Sequence, residues 1–135
     1  MSFITADQVL AHAVGDYILQ SHWMATQKTT KSVAAAVHAI SYTLSFLLIT
    51  QAPIPLAIIC VTHFLVDRFR LARFVVWLKN GPLKMVPTYE GWLRLKPVTG
   101  TGYGEDVPSW LSVWLLIIAD NIIHIAINGL ALKYA

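Results

Sequence analysis

Three apolar stretches of the chain each hold one histidine and one aspartate four residues apart. The pairs are His12 with Asp16, His63 with Asp67, and Asp120 with His124. Four residues of an α-helix advance about 6 Å and turn about 40° past a full circle, so both members of a pair lie on one face and can reach one site. The order of the third pair is reversed along the chain. If its helix runs opposite to the other two across a membrane, all three pairs present histidine and aspartate in the same vertical order.

These side chains lie in hydrophobic helices together with a further histidine, His38. A central aspartate costs roughly 2.5 to 3.5 kcal/mol on insertion scales, so three uncompensated carboxylates would cost on the order of 10 kcal/mol. Lys28 and Lys31 are too few and too peripheral to compensate them, which leaves Arg68 and Arg70, mutual hydrogen bonds, protonation or bound cations. Bound cations satisfy the most ligands at once, and imidazole and carboxylate suit zinc, manganese or iron. The sequence therefore predicts a divalent metal site, with zinc as the first choice, and its predicted ligands are His12, Asp16, His63, Asp67, Asp120 and His124.

Charge bears on how many ions such a site would hold. Three carboxylates carry −3, so one divalent ion leaves −1 and two leave +1, a charge that attracts phosphate. Two ions about 3.5 to 4 Å apart can polarise a phosphoryl oxygen and supply hydroxide near neutral pH. His38 would serve as a further ligand or as a general acid or base, and Arg70, on the same stripe as His63, would orient the phosphate. One ion and two ions both remain compatible with the sequence.

The composition points to lipid surroundings. Of the 135 residues, 56% are hydrophobic and 13% are charged, and the mean hydropathy is +0.59. The net charge of +3 does not predict a nucleic-acid-binding surface, because Lys and Arg concentrate in two segments between helices instead of along an exposed helical face. The single cysteine, Cys60, excludes an internal disulfide and most thiolate metal sites.

The apolar runs predict an all-α fold, a four-helix transmembrane bundle that forms one membrane domain over residues 1–135. The expected helices cover residues of about 5–24, 31–50, 56–78 and 110–132, lengths that suit a hydrocarbon layer of about 30 Å. Prolines in residues 51–55 separate the second helix from the third. Glycines and prolines concentrated in residues 80–108 predict a long cytoplasmic loop.

The distribution of positive charge sets the expected topology. Lys28 and Lys31 follow the first helix and Arg68 through Lys96 follow the third, while residues 51–55 carry no charge. The positive-inside rule therefore places both basic connections in the cytoplasm and both termini outside a bacterial inner membrane. This multi-pass topology gives the helix directions that the reversed pair requires.

The sequence resembles a family of small bacterial and phage membrane proteins of unknown function. The resemblance rests on Leu10-Ala-His12-x-x-Gly15-Asp16-Tyr-x-Leu-Gln20, Trp23, His38 and His63-x-x-x-Asp67. More remotely, the three pairs are similar to those of membrane-bound metal-dependent hydrolases thought to be related to zinc phospholipases and nucleases. That resemblance implies metal ligation by the six residues of the pairs. The zinc phospholipases and nucleases, which are soluble enzymes, typically add metal ligands near their N-terminus and use glutamate in one pair. Neither feature can be placed in this chain.

Together these features predict an intramembrane metal-dependent hydrolase that acts on a phosphate-bearing substrate, either a lipid or a nucleotide derivative. Two alternatives remain, a module that binds or transports a cation or proton and a non-catalytic interaction protein of phage or bacterial origin. A hydrogen-bonded polar core without metal would also explain the same residues. The expected partners are membrane lipid and the phosphate-bearing substrate, and a homo-oligomer is left open.

Overall fold

The computed structural model describes residues 3–85 and 93–135, which are helical apart from one short pair of strands. The elements in chain order are α1 Ala6–Ala13, a π-helical turn Val14–Ile18, α2 His22–Gln27, α3 Ser32–Leu44, a 3-10 turn Ser45–Leu48, α4 Pro53–Phe69, α5 Ala72–Lys79, β1 Leu83–Met85, β2 Leu93–Leu95 and α6 Ser109–Tyr134. They fall into two compact units, a first unit up to Arg70 and from Asn121 onward, and a second unit from Leu71 to Asp120. The single-domain organisation stays a prediction.

The predicted four-helix transmembrane bundle is wrong. Within the described ranges only α6, with 26 residues, is long and apolar enough to cross a membrane. The other predicted helices are interrupted, the first at the π-helical turn and again before α2, the second at the 3-10 turn, and the third at Arg70. Spanning the hydrocarbon takes about 20 apolar residues, whereas α3 has 13 residues and α4 has 17. The nearly all-helical content agrees with the prediction, but the multi-pass topology and the external termini gain no support.

Local side-chain chemistry explains where the helices of the first unit begin and end. At the start of α1, the Thr5 hydroxyl accepts a bond from the Gln8 backbone N–H and the Gln8 side chain accepts one from the Thr5 N–H, which is a capping box. Ser21 accepts a backbone N–H bond at the start of α2. Pro53 occupies the first position of α4, where a missing N–H costs nothing. Arg70 ends α4 in a left-handed conformation with φ of 52°.

The first unit buries an apolar core and, beside it, a set of polar side chains. The apolar core consists of Ala11, Tyr42, Phe46, Ile59 and Ala131. The buried polar side chains of this unit are Gln8, His12, Asp16, His38, Ser45, His63, Asp67, His124 and Asn128. Because a buried polar group without a partner is costly, these side chains must satisfy one another or a bound ligand.

The second unit contains α5, the strand pair and the first part of α6. Strands β1 and β2 are antiparallel, with Leu83 opposite Leu95. The predicted loop over residues 80–108 therefore includes a strand pair, and residues 86–92 of that loop lie outside the described residues.

Gly102 occupies a position in the second unit that only glycine fits. Its φ is 79°, and a Cβ atom there would lie 2.2 Å from the Arg73 carbonyl oxygen and 2.9 Å from the Trp77 backbone nitrogen. Because backbone atoms cannot move aside as a side chain can, we expect Gly102→Ala to lower the free energy of unfolding by about 1 to 3 kcal/mol. Denaturant unfolding followed by circular dichroism measures this. Gly100→Ala is the matched control, since its Cβ would meet nothing within 4 Å, and equal stability of the two variants would contradict the prediction.

Candidate metal centre

Four buried side chains of the first unit converge on one point. Nε2 of His38 lies 3.1 Å from Oδ1 of Asp16 and 3.2 Å from Oδ2 of Asp67. Nε2 of His63 lies 3.4 Å and 3.3 Å from the same two oxygens, and it is 3.0 Å from Nε2 of His38. None of the four side chains is more than 7% exposed. We call these four residues the four-donor cluster.

Five of the six donor–donor distances in the four-donor cluster match those of a tetrahedral metal site, and all four donors lie within 4.8 Å of one another. Zinc binds imidazole nitrogen and carboxylate oxygen at about 2.0 to 2.2 Å, which places neighbouring ligands of a tetrahedron about 3.3 to 3.6 Å apart. The five donor distances above, 3.0 to 3.4 Å, agree with this to within a few tenths of an ångström. One metal ion can bind both Nε2 atoms and both carboxylates at once. One proton on a nitrogen can be shared with only one or two of these atoms. The buried cluster can therefore hold a metal ion.

Each element positions its donor for a local reason. His63 and Asp67 are four residues apart on α4, so they share a face of that helix. Asp16 lies in the π-helical turn, where the extra residue of a π-turn rotates side chains away from their α-helical phase. His38 lies on the inner face of α3, and the small side chains buried beside it, which let α4 approach closely, are Ala34, Ala35 and Ala39.

Lys28 adds a positive charge beside the four-donor cluster. Its Nζ atom lies 2.7 Å from Oδ2 of Asp67 and 3.2 Å from Nε2 of His38, so the expectation that Lys28 is too peripheral is wrong. Burial raises the pKa of the Asp67 carboxyl, but hydrogen bonds with His38 and His63 and the charge of Lys28 outweigh burial and hold that pKa well below its usual range. Burial also raises the pKa of the Asp16 carboxyl, but the hydrogen bond with His38 and nearby positive charge outweigh burial and lower that pKa. Both carboxyl groups are therefore ionised at neutral pH, as metal ligands must be.

A hydrogen-bonded layer lies beside the four-donor cluster. The Tyr42 hydroxyl is 2.8 Å from Nδ1 of His12 and accepts a bond of 2.5 Å from the Asn128 amide. Nε2 of His12 is 3.0 Å from Oδ1 of Asn121, so the consistent assignment has Nε2–H donating to Asn121 and the Tyr42 hydroxyl donating to Nδ1. The Tyr42 ring stacks on the His63 imidazole, with 3.7 Å between centroids and 16° between planes. Tyr42 therefore connects this layer to a donor of the cluster.

Three of the six predicted ligands belong to the four-donor cluster, and His38, predicted as a ligand or an acid–base group, is its fourth member. Two further predicted ligands, His12 and His124, lie one layer outside. Nδ1 of His12 is 3.4 Å from Oδ2 of Asp16, and Nε2 of His124 is 4.0 Å from Oδ1 of Asp67. Ligation by these two histidines stays a prediction.

The other two predicted site residues are not among the four members of the cluster. Asp120 is half-buried on α6, as the last residue of the second unit, and Arg70 is exposed at the end of α4. Their roles as ligand and phosphate-binding group stay predictions. The residue that sequence reasoning missed is Lys28. The charge of Lys28 could have identified it. Buried carboxylates need a positive partner, and Lys28 is the first lysine or arginine after Asp16 along the chain.

The Tyr42 hydroxyl is expected to stabilise the fold more than it affects metal binding. Tyr42→Phe removes two buried hydrogen bonds but keeps the ring that stacks on His63, so we expect the free energy of unfolding to fall by about 1 to 3 kcal/mol while zinc still binds. Denaturant unfolding and zinc titration of the same variant measure both effects. Tyr17→Phe is the control, because that hydroxyl is hydrogen-bonded to Asn121 on the exposed surface. Equal stability of the two variants would contradict the prediction.

Residues 4–85, which contain Lys28 and the whole four-donor cluster, match a family model described as a protein of unknown function (DUF3307). The matched range covers more than half of the chain. Neither the curated proteins nor the solved structures gave a match. The chain therefore belongs to the DUF3307 family of proteins of unknown function.

Proposed function

We propose that this protein is a metal-dependent hydrolase that acts on a phosphate-containing substrate and holds one divalent ion, with zinc as the first choice. The observation that supports the proposal is the four-donor cluster with Lys28 beside it. Two imidazoles and two carboxylates without a thiolate suit zinc, manganese or iron, and the near-tetrahedral spacing favours zinc among them. The proposal adds membrane attachment through α6, which is long and apolar enough to cross a bilayer.

Charge supports a single ion and an anionic substrate. The two carboxylates of the cluster carry −2 and the Lys28 ammonium carries +1, so one divalent ion brings the site to +1. A site of this charge attracts phosphate, and a second ion is not needed to reach it. When bound, the ion would supply a Lewis acid for a phosphoryl oxygen.

The residues around the ion would divide the remaining tasks. Asp16, His38 and His63 would hold the metal, which is the number of protein ligands that catalytic zinc sites use. Asp67 faces Lys28 as well as the two histidines, and as an ionised carboxylate it would accept a hydrogen bond from a water molecule at the fourth metal position and so orient that water. Lys28 has the most exposed of these side chains, at 18%, and would pair with an oxygen of the incoming phosphate.

Metal-dependent turnover tests the proposed function. Full-length protein purified in detergent is expected to contain about one zinc per chain and to hydrolyse a soluble phosphomonoester, p-nitrophenyl phosphate, or a lipid phosphomonoester, phosphatidate in mixed micelles. Hydrolysis should stop when a chelator removes the metal and return when zinc is added. Activity on one substrate only would identify whether the phosphate is soluble or lipid-borne. Stoichiometric zinc without hydrolysis of either compound would contradict the hydrolase, and uptake of zinc into proteoliposomes would then favour the transport alternative.

Lys28→Met separates the roles of metal and ammonium. If an ion occupies the four-donor cluster, the variant should keep about one zinc per chain but lose roughly 100-fold in kcat/KM, because a charge that stabilises the phosphoryl group is gone. Lys31→Met is the matched control, since it makes the same charge change at an exposed position three residues further on. If Lys28→Met unfolds and neither this variant nor the unmodified protein binds zinc, then the Lys28 ammonium is the cation that compensates the carboxylates, and the metal site is contradicted.

A further inference from the structure

The helical hairpin of residues 32–69, made of α3, the 3-10 turn and α4, has an apolar outer surface. The exposed apolar side chains of α3 and the 3-10 turn are Val33, Val37, Ile40, Leu44, Leu47 and Leu48. Those of α4 are Ile54, Ile58, Val61, Leu65 and Phe69. Steps of three and four residues place each set on one side of its helix. The hairpin therefore presents two continuous apolar stripes outward.

The inner side of the same hairpin buries polar side chains beside part of the apolar core, while its outer side is apolar. His38 and His63 are at most 1% exposed, whereas Leu48 is 94% exposed and Val33 is 69% exposed. Contiguous exposed apolar surface of this kind marks contact with a membrane or another protein. Polar side chains inside and apolar side chains outside are the arrangement that a hydrocarbon solvent favours.

Charge distinguishes the two ends of the hairpin. Residues 32–66 contain no Asp, Glu, Lys or Arg, and residues 50–52 at the tip are uncharged. The Arg68 guanidinium donates to the Thr29 carbonyl at 2.9 Å and to the Ser32 hydroxyl at 3.1 Å, which holds it at the open end of the hairpin. Lys31 and Arg70 are exposed at the same end. Basic residues at one end and an uncharged tip at the other match the headgroups and the hydrocarbon of a lipid layer.

We infer that this hairpin is inserted into a lipid bilayer, with its basic end among the headgroups and the apolar stripes of its two helices in the hydrocarbon. The 17 residues of α4 extend about 25 Å, which is less than the hydrocarbon thickness of about 30 Å. The hairpin therefore enters the bilayer from one side without crossing it, unlike a bundle of spanning helices. Acyl chains are the occupant of the two stripes, because only a lipid layer pairs an apolar face of this depth with phosphates at one end. The inference does not depend on hydrolase activity.

Depth measurements at single positions test the insertion. Because α6 alone could hold the protein on a vesicle, binding to vesicles is not a sufficient readout. Full-length protein carrying Cys60→Ser is reconstituted in vesicles of phosphatidylcholine and phosphatidylglycerol, with one environment-sensitive fluorophore at Leu48→Cys, Ile40→Cys or Val61→Cys. Thr30→Cys, near the basic end, is the matched control. All four labelled positions are exposed, so the label replaces no packed side chain.

Quenching by a nitroxide on the acyl chains is expected to be roughly twofold or more stronger at positions 48, 40 and 61 than at position 30, because the hydrocarbon surrounds the first three. Aqueous iodide should show the opposite order. The inference is overturned if iodide quenches positions 40 and 61 as strongly as position 30, which would place the stripes in water. It is equally overturned if neither quencher reaches them and the protein sediments as a dimer, which would mean that a second copy covers the stripes.

Discussion

His63→Ala is expected to lower zinc affinity by more than about 100-fold, since loss of a residue that only supports a ligand already costs 10- to 100-fold. Nε2 of His63 lies between 3.0 and 3.4 Å from the other three donors, so it occupies one corner of the proposed tetrahedron. Removing His63 leaves one imidazole and two carboxylates as donors. The two carboxylates repel each other more strongly once the ion has left. Metal analysis and competition with a zinc-binding dye measure the affinity.

The matched control for this substitution is His22→Ala. His22 is an exposed histidine at the start of α2, so its loss tests whether any histidine of the chain binds zinc at the concentrations used. Asp16→Asn gives an independent check, because it keeps the shape of the side chain and removes only the charge. Full zinc content in His63→Ala or in Asp16→Asn would show that the ion, if bound, lies elsewhere in the protein.

Gly15→Ala is expected to destabilise the fold and weaken zinc binding together. A Cβ at position 15 would lie 2.5 Å from Cδ2 of Tyr42. That ring has little freedom to move, because its hydroxyl bonds with His12 and Asn128 and its face stacks on His63. The clash can therefore be relieved in two ways. Either the Tyr42 ring moves and shifts His63, or the π-helical turn moves and shifts the neighbouring Asp16. We expect about 1 to 3 kcal/mol lower stability and roughly tenfold weaker zinc binding.

Denaturant unfolding without metal and zinc titration of the same protein measure the two effects of Gly15→Ala. Tyr42→Phe provides the comparison, because it removes the hydroxyl bonds but leaves the ring where it stacks. Loss of stability in both variants with weaker zinc binding only in Gly15→Ala would show that the ring position matters for the metal centre. Unchanged zinc affinity in Gly15→Ala would contradict the proposed coupling between the π-helical turn and the four-donor cluster.

The chemistry of the site was accessible from residue types and local spacing. Aspartates and histidines in apolar helices are costly without partners, so their presence alone indicated a shared polar site. The His63 and Asp67 pair was predictable with its geometry, because a four-residue step on one continuous helix fixes both side chains on one face. His38 was recognised as a member, although the pattern did not decide whether it acts as a ligand or as an acid–base group.

Local spacing was not sufficient where the helix is irregular. The step from His12 to Asp16 resembles that from His63 to Asp67, yet only Asp16 belongs to the four-donor cluster. The π-helical turn begins at Val14 and contains Asp16. Nδ1 of His12 stays 3.4 Å from Oδ2 of Asp16, but the two ring nitrogens of His12 are also hydrogen-bonded to Tyr42 and Asn121, outside the cluster. The same irregularities divide the predicted long helices into shorter ones, which is why the count of spanning helices was wrong.

The sequence by itself determined which carboxylates in apolar segments need a partner, how far the His63 and Asp67 pair is separated on its helix, and that one C-terminal segment is long and apolar enough to cross a membrane. The tertiary structure decided which donors meet, that Lys28 reaches Asp67 across the first unit, and that Tyr42 supports His63 from one side. The physical reason is that a residue pattern fixes angles and distances within one regular helix. Distances between helices depend on breaks, small side chains at contacts and the packing of the whole unit, and these arise only when the chain folds.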